Sequence, residues 1–138
     1  MEKMVLNDNL SVFGFEVTTF PEGIKEAFDT LMKMVPDGVD RSLYGISYME
    51  RDDVRYHAAI IENFPGEAEK YNCRRYTVEK GEYMTTTVKD WIKKTHTIKD
   101  VFGAMLKDDC PTDVRPAVEW YINDDEMVCM IKMVSVGQ

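Results

Sequence analysis

Two periodicities alternate along the chain. Residues 11–18 alternate apolar and polar, with Phe13, Phe15 and Val17 on one face, and predict a strand. Beyond Pro21, a residue suited to a first helical turn, Ile24, Ala27, Phe28, Leu31, Met32 and Val35 recur at helical spacing, until Pro36-Asp37-Gly38 ends the helix. Residues 42–50 and 54–62 predict two strands joined at Arg51-Asp52-Asp53, and residues 63–72 have the Pro, Gly and charge of a linker. Residues 75–87 predict a strand interrupted at Lys80-Gly81, while residues 90–96 fit neither period. Thr97 caps a second helix, with Asp100 as the other half of a capping box and Ile98, Val101, Phe102, Met105 and Leu106 as its apolar positions. After a loop over residues 108–116, runs at 117–122 and 127–134 flank Asn123-Asp124-Asp125-Glu126 and predict a closing hairpin.

The two helices are related. Residues 24–33 read IKEAFDTLMK and residues 98–107 read IKDVFGAMLK, at an offset of 74 with four identities. Each is preceded by strand-like sequence and followed by a hairpin with an Asp-Asp turn. This predicts an α+β fold built from a duplicated β-α-β-β unit, with pseudo-repeats at 11–62 and 75–134 about a pseudo-twofold axis. The expected architecture is an antiparallel sheet with two helices on one side and a ligand groove between the halves. At 138 residues the chain should form a single domain, 1–138.

One residue breaks the apolar pattern of the closing hairpin. Glu119 lies between Val118 and Trp120, and strand alternation puts it on one face with Tyr121, opposite Val118, Trp120 and Ile122. A carboxylate there either faces water on an open side of the sheet or lies in a pocket that partners it.

Composition narrows the function classes. With 17 basic and 25 acidic residues the net charge is −8, which argues against direct nucleic-acid binding and is compatible with a cationic ligand. There is no apolar run of membrane-spanning length and no signal-peptide core, so a cytoplasmic protein without membrane contact is expected. Cys73, Cys110 and Cys129 read as free thiols. His57 and His96 lie far apart with no ligand spacing around them, so no metal is expected, and the lack of a Gly-rich phosphate loop argues against a nucleotide cofactor. His57, in an apolar strand, reads as a packed histidine.

Several short stretches resemble one known family. Leu43-Tyr44-Gly45-Ile46, Tyr56 with Ala58-Ala59, Val78-Glu79-Lys80-Gly81-Glu82-Tyr83 and, most specifically, the Glu-x-Tyr of Val118-Glu119-Trp120-Tyr121 are similar to the GyrI-like small-molecule-binding family, the effector-binding domain of bacterial multidrug-responsive transcription regulators. The resemblance spans residues 1 to 138. It implies that Glu119, with Tyr121 on its strand, meets lipophilic cations in an aromatic-lined pocket, with Tyr44, Tyr48, Tyr56, Phe13, Trp91 and Tyr83 as candidate walls. The domain is expected to begin near residue 10, which leaves no room for a helix-turn-helix and implies a stand-alone form. Transcription regulation would then need a separate DNA-binding regulator, and some stand-alone relatives contact DNA gyrase.

Two chemistries suit these residues. A binding protein, acting as sensor or sink for drugs or toxins, needs only the acid and its aromatic walls. The resemblance also implies a hydrolase of electrophilic small toxins, which would use Glu119 as general base on water, with a tyrosine as acid or orienter. The binding reading is preferred, because one carboxylate among aromatics suffices for it.

Overall fold

The computed structural model describes residues 2–20, 22–50, 53–91, 116–123 and 125–133, with backbone alone at 49, 50 and 53. Eight strands form one sheet: β1 (Glu2–Leu6), β2 (Leu10–Glu16), β3 (Leu43–Glu50), β4 (Asp53–Ile61), β5 (Arg74–Val78), β6 (Gly81–Lys89), β7 (Ala117–Tyr121) and β8 (Glu126–Lys132). Helix α1 (Ile24–Met34) lies between β2 and β3, and the short helix α2 (Glu67–Lys70) between β4 and β5. The strand order is β1-β6-β8-β7-β3-β4-β2-β5, and every pairing is antiparallel.

Connection lengths show that this sheet cannot be flat. In a flat sheet β5 and β6 would stand six strand spacings apart, roughly 29 Å at about 4.8 Å each. The chain crosses from one to the other through Glu79 and Lys80 alone, a reach of at most about 11 Å. The β1–β2 connection, residues 7–9, spans the same six positions. Both crossings require the two edges to approach, and the sheet is curled into a half-barrel. The crossings touch where the Lys80 backbone N–H donates to Asn9 Oδ1 at 2.7 Å.

Each face of the curled sheet has its own core. Phe13, Tyr56, Ile60, Tyr121, Cys129 and Ile131 point to the face that α1 covers with Ala27, Phe28, Leu31 and Val35. Val12, Tyr44, Ile46, Tyr76, Tyr83, Val118 and Met130 point to the other. That second cluster includes no helical residue among those described.

The amphipathic pattern of residues 24–35 does form α1, with Glu26 in its first turn and Lys33 in its last, and the chain turns extended at Val35, ahead of Pro36. The closing hairpin also forms, its turn fixed by Asn123 Oδ1, which accepts from the N–H groups of Asp125 and Glu126 at 2.7 and 2.8 Å. Three expectations need correction. Residues 2–6, ahead of the expected start near residue 10, already belong to the sheet, because β1 pairs along β6. Residues 75–87 are not one interrupted strand; β5 and β6 lie near opposite edges of the sheet. Within the expected linker, residues 67–70 form α2, clasped by Arg41, whose two guanidinium nitrogens each lie 2.8 Å from a Glu67 carboxylate oxygen. The helix expected from Thr97 to residue 107 lies outside the described residues, as do most of residues 90–116.

Candidate functional site

The centre of the sheet is the β3–β7 pair, where Glu119 stands opposite Gly45 on one side and Cys129 of β8 on the other. All three share the α1-covered face, and the carboxyl group does not reach water: Glu119 is 5% exposed. Its partners come from two strands. Tyr56 on β4 donates its hydroxyl to Glu119 Oε1 at 2.7 Å, and Tyr121, two residues along β7, donates to the same oxygen. The two hydroxyls lie 3.2 Å apart.

Gly45 makes this triangle possible. A Cβ at that position would stand 2.0 Å from the Tyr56 hydroxyl and 2.6 Å from Glu119 Oε1. Burial pushes the Glu119 carboxyl above the ordinary range, and the hydrogen bonds from Tyr121 and Tyr56 oppose that rise without cancelling it. Tyr56 and Tyr121 are held well above the usual phenol range by burial and then by the neighbouring Glu119 charge. Burial, reinforced by Glu119, pushes the Cys129 thiol up to about 12. At neutral pH the tyrosines are therefore neutral donors and the cysteine an uncharged wall.

Aromatic rings enclose the triangle. Phe20 stacks on Tyr56, with centroids 4.9 Å apart and planes 7° from parallel. Phe28 of α1 meets Tyr121 edge-on at 4.9 Å, and Trp91 does so at 4.7 Å. Trp91 is pinned by its indole N–H, which donates to the Asn123 carbonyl at 2.9 Å.

Of the eight residues singled out in the sequence, Glu119, Tyr121, Tyr56 and Trp91 come together. Phe13 is on the same face but on β2, three strands from β7, where it stacks against Tyr71. Tyr44, Tyr48 and Tyr83 lie on the opposite face. There Tyr48 meets His57 edge-on at 5.3 Å, and Tyr83 donates to the Glu79 carbonyl. Phe20, Phe28, Gly45 and Cys129 belong to the site and were not singled out as site residues. Gly45 carried a usable signal, a lone glycine inside a strand marking a close approach; Phe28 read as an apolar helix position and Cys129 as a free thiol, and Phe20 carried no signal.

Among the described residues, concavities open elsewhere. One of about 70 Å³ lies in the curled face beside Val78, Tyr83, Val118 and Lys132, and a shallow groove of about 270 Å³ runs between β2 and α1. Neither is lined by Glu119. Among the described residues, the carboxyl group and its two tyrosine hydroxyls are packed under aromatic rings. Chemically, the site offers one carboxyl group with two hydroxyl donors inside an aromatic shell, suited to hold a cation when ionised or to exchange a proton.

Several solved structures share the fold. An integron cassette protein from the mobile metagenome of Vibrio cholerae superposes with a TM-score of 0.71, covering 96% of this chain and 95% of its own at 13% identity. A hydrolase from Listeria innocua superposes with a TM-score of 0.57, covering 96% of this chain and 90% of its own, also at 13% identity. At such identity the likeness is one of fold. No family model and no curated protein matches the sequence. Among the described residues, no helix is long and apolar enough to cross a membrane.

Proposed function

We propose that the chain is a stand-alone, GyrI-like small-molecule-binding protein that captures lipophilic or cationic aromatic compounds at Glu119, as a sensor or a sink. The observation that carries this reading is the buried Glu119 carboxyl, paired to two tyrosine hydroxyls and enclosed by aromatic rings. A cation entering such a site exchanges its hydration for a counter-charge and ring faces, the latter worth roughly 0.5–2 kcal/mol each. The duplicated β-α-β-β unit belongs to the same proposal. It is supported by the strand order, which returns reversed when β1, β2, β3 and β4 are exchanged for β5, β6, β7 and β8. The partner Gly45↔Glu119 is a further support, since their spacing of 74 equals the offset of the helix repeat. A sensing role would run through a separate DNA-binding regulator or a gyrase, with no direct nucleic-acid contact by this chain.

The test is Glu119→Gln, which keeps shape and removes charge. Affinity for cationic dyes should fall at least tenfold while neutral aromatics of similar size bind as before; equal affinity for both classes in both proteins would refute it.

A second reading, hydrolysis of electrophilic toxins, draws on the paired hydroxyls at Glu119 and on the fold shared with a hydrolase. In it Glu119 takes the proton of an attacking water and Tyr121 protonates the departing group. Glu119→Gln would then leave substrate binding intact and abolish turnover.

A further inference from the structure

We propose that Phe20 sets what the Glu119 site accepts: its ring fills the stacking slot over Tyr56 that the flat aromatic part of a ligand takes, so binding exchanges one ring for another. The proposal rests on the reading of Glu119 as a ligand site and adds the shape of the ligand, a flat, singly charged aromatic cation.

Among the described residues, three rings pack on the tyrosines that hold the carboxylate, and they differ in how firmly they are tied. Phe28 is 4% exposed within the packing of α1. Trp91 is held by two hydrogen bonds, from its indole N–H to Asn123 and from its backbone N–H to the Asp125 carbonyl. Phe20 is half-buried on the connection between β2 and α1, tied locally by its backbone N–H to the Val17 carbonyl at 3.1 Å. The shallow groove between β2 and α1 is lined by Val17, Thr18, Thr19 and Gly23 of that same connection, so open space lies beside the segment that carries Phe20.

The slot has a shape. Phe20 lies within 7° of parallel to Tyr56, whereas Phe28 and Trp91 approach Tyr121 at 62° and 68°. A parallel slot is filled by a planar ring and not by a tetrahedral cation. Tyr56 carries the slot on its face and touches the carboxylate through its hydroxyl, so stacking and charge recognition meet on one side chain. Across the central strand pair, Gly45 contributes no second acid, which matches the site to a single positive charge.

The experiment titrates the full chain, as wild type, Phe20→Ala, Phe20→Leu and Glu119→Gln, with ethidium as a flat monocation and tetrabutylammonium as a tetrahedral one without an aromatic ring. Removing the resident ring should tighten ethidium roughly two- to tenfold, the range expected for one ring pair, and leave tetrabutylammonium within about twofold. Should Phe20→Ala fail to fold, Phe20→Leu is read in its place, with the same direction. Weaker ethidium binding in the Phe20 variants, or equal changes for both probes, overturns the exchange while a loss in Glu119→Gln keeps the site. Ethidium binding that is unchanged in Glu119→Gln, or absent in wild type, removes the site and the exchange together.

Discussion

Gly45 and Glu119 face one another across the middle of the sheet, and the side chain missing from one is the space filled by the other's carboxyl group. The same space admits the Tyr56 hydroxyl, which arrives from β4 on the far side of β3. A glycine in a strand interior ordinarily weakens pairing. Here it lets an acid and a phenol from strands on either side of β3 meet above its backbone.

Gly45→Ala should therefore damage the site before it damages the fold. The added methyl collides with both Tyr56 and Glu119, and overpacking of this kind costs about 1–3 kcal/mol. Urea unfolding should show that loss, and cationic-dye titration a loss of binding larger than the stability change accounts for. An unchanged midpoint and affinity would mean that the carboxyl group rests elsewhere.

The buried acid also predicts how stability follows pH. Because burial raises Glu119, the folded protein holds its proton at a pH where the unfolded chain has released it. Its contribution is full below the ordinary glutamate range and declines as pH rises from about 4.5 towards the raised value. Glu119→Gln cannot ionise, so its melting temperature relative to wild type should increase between pH 4 and pH 8. A difference independent of pH would contradict the burial.

Tyr121→Phe tests the opposing effect. The Tyr121 hydroxyl favours the ionised carboxylate, so its loss lets burial push Glu119 higher still. Since cation capture needs the carboxylate, the pH midpoint of dye binding should move upward in the variant. A downward movement would show that Tyr121 does not donate to Glu119.

Away from the site, the Arg41–Glu67 pair carries a structural prediction. Their side chains are 6% and 1% exposed, and the Asn63 backbone N–H adds a third donor to Glu67 at 2.9 Å. Burial alone would raise Glu67, yet the Arg41 and Asn63 hydrogen bonds hold it below the ordinary value. That contribution is present above the ordinary glutamate range and is lost as pH falls through the lowered value. Arg41→Ala leaves an uncompensated buried charge and should cost about 3–5 kcal/mol in chemical unfolding; Arg41→Met with Glu67→Leu should recover most of it.

How much of this was legible in the sequence depended on whether the signal was local. Helix α1 announces itself through its 3.6-residue period, and the β7–β8 hairpin through Asn123 and its neighbours. Glu119 stood out because an acid in an apolar strand needs a partner. Strand β1 was missed because a five-residue edge strand carrying Glu2 and Lys3 has the charges of a loop. The face shared by two tyrosines was not legible either. Parity along one strand places Tyr44 and Tyr48 together, but only the Gly45↔Glu119 register puts both of them behind the sheet from Glu119. Likewise nothing local in Thr18-Thr19-Phe20 says that Phe20 lies over Tyr56, 36 residues on.

The crossing of β1 and β5 to opposite edges has a consequence for how the chain folds. By sequence β1 precedes β2, but it pairs with β6, Glu2 meeting Thr85; β5 precedes β6 and pairs with β2. Neither half can complete its own hydrogen-bonded ladder until the other is in place, so the outer strands dock late and the loss of either loosens both. Such long-range pairing slows folding and makes it cooperative across the whole sheet. If the chain were cut within residues 63–72, each fragment would hold the strand that the other lacks, and the two should regain structure only when mixed.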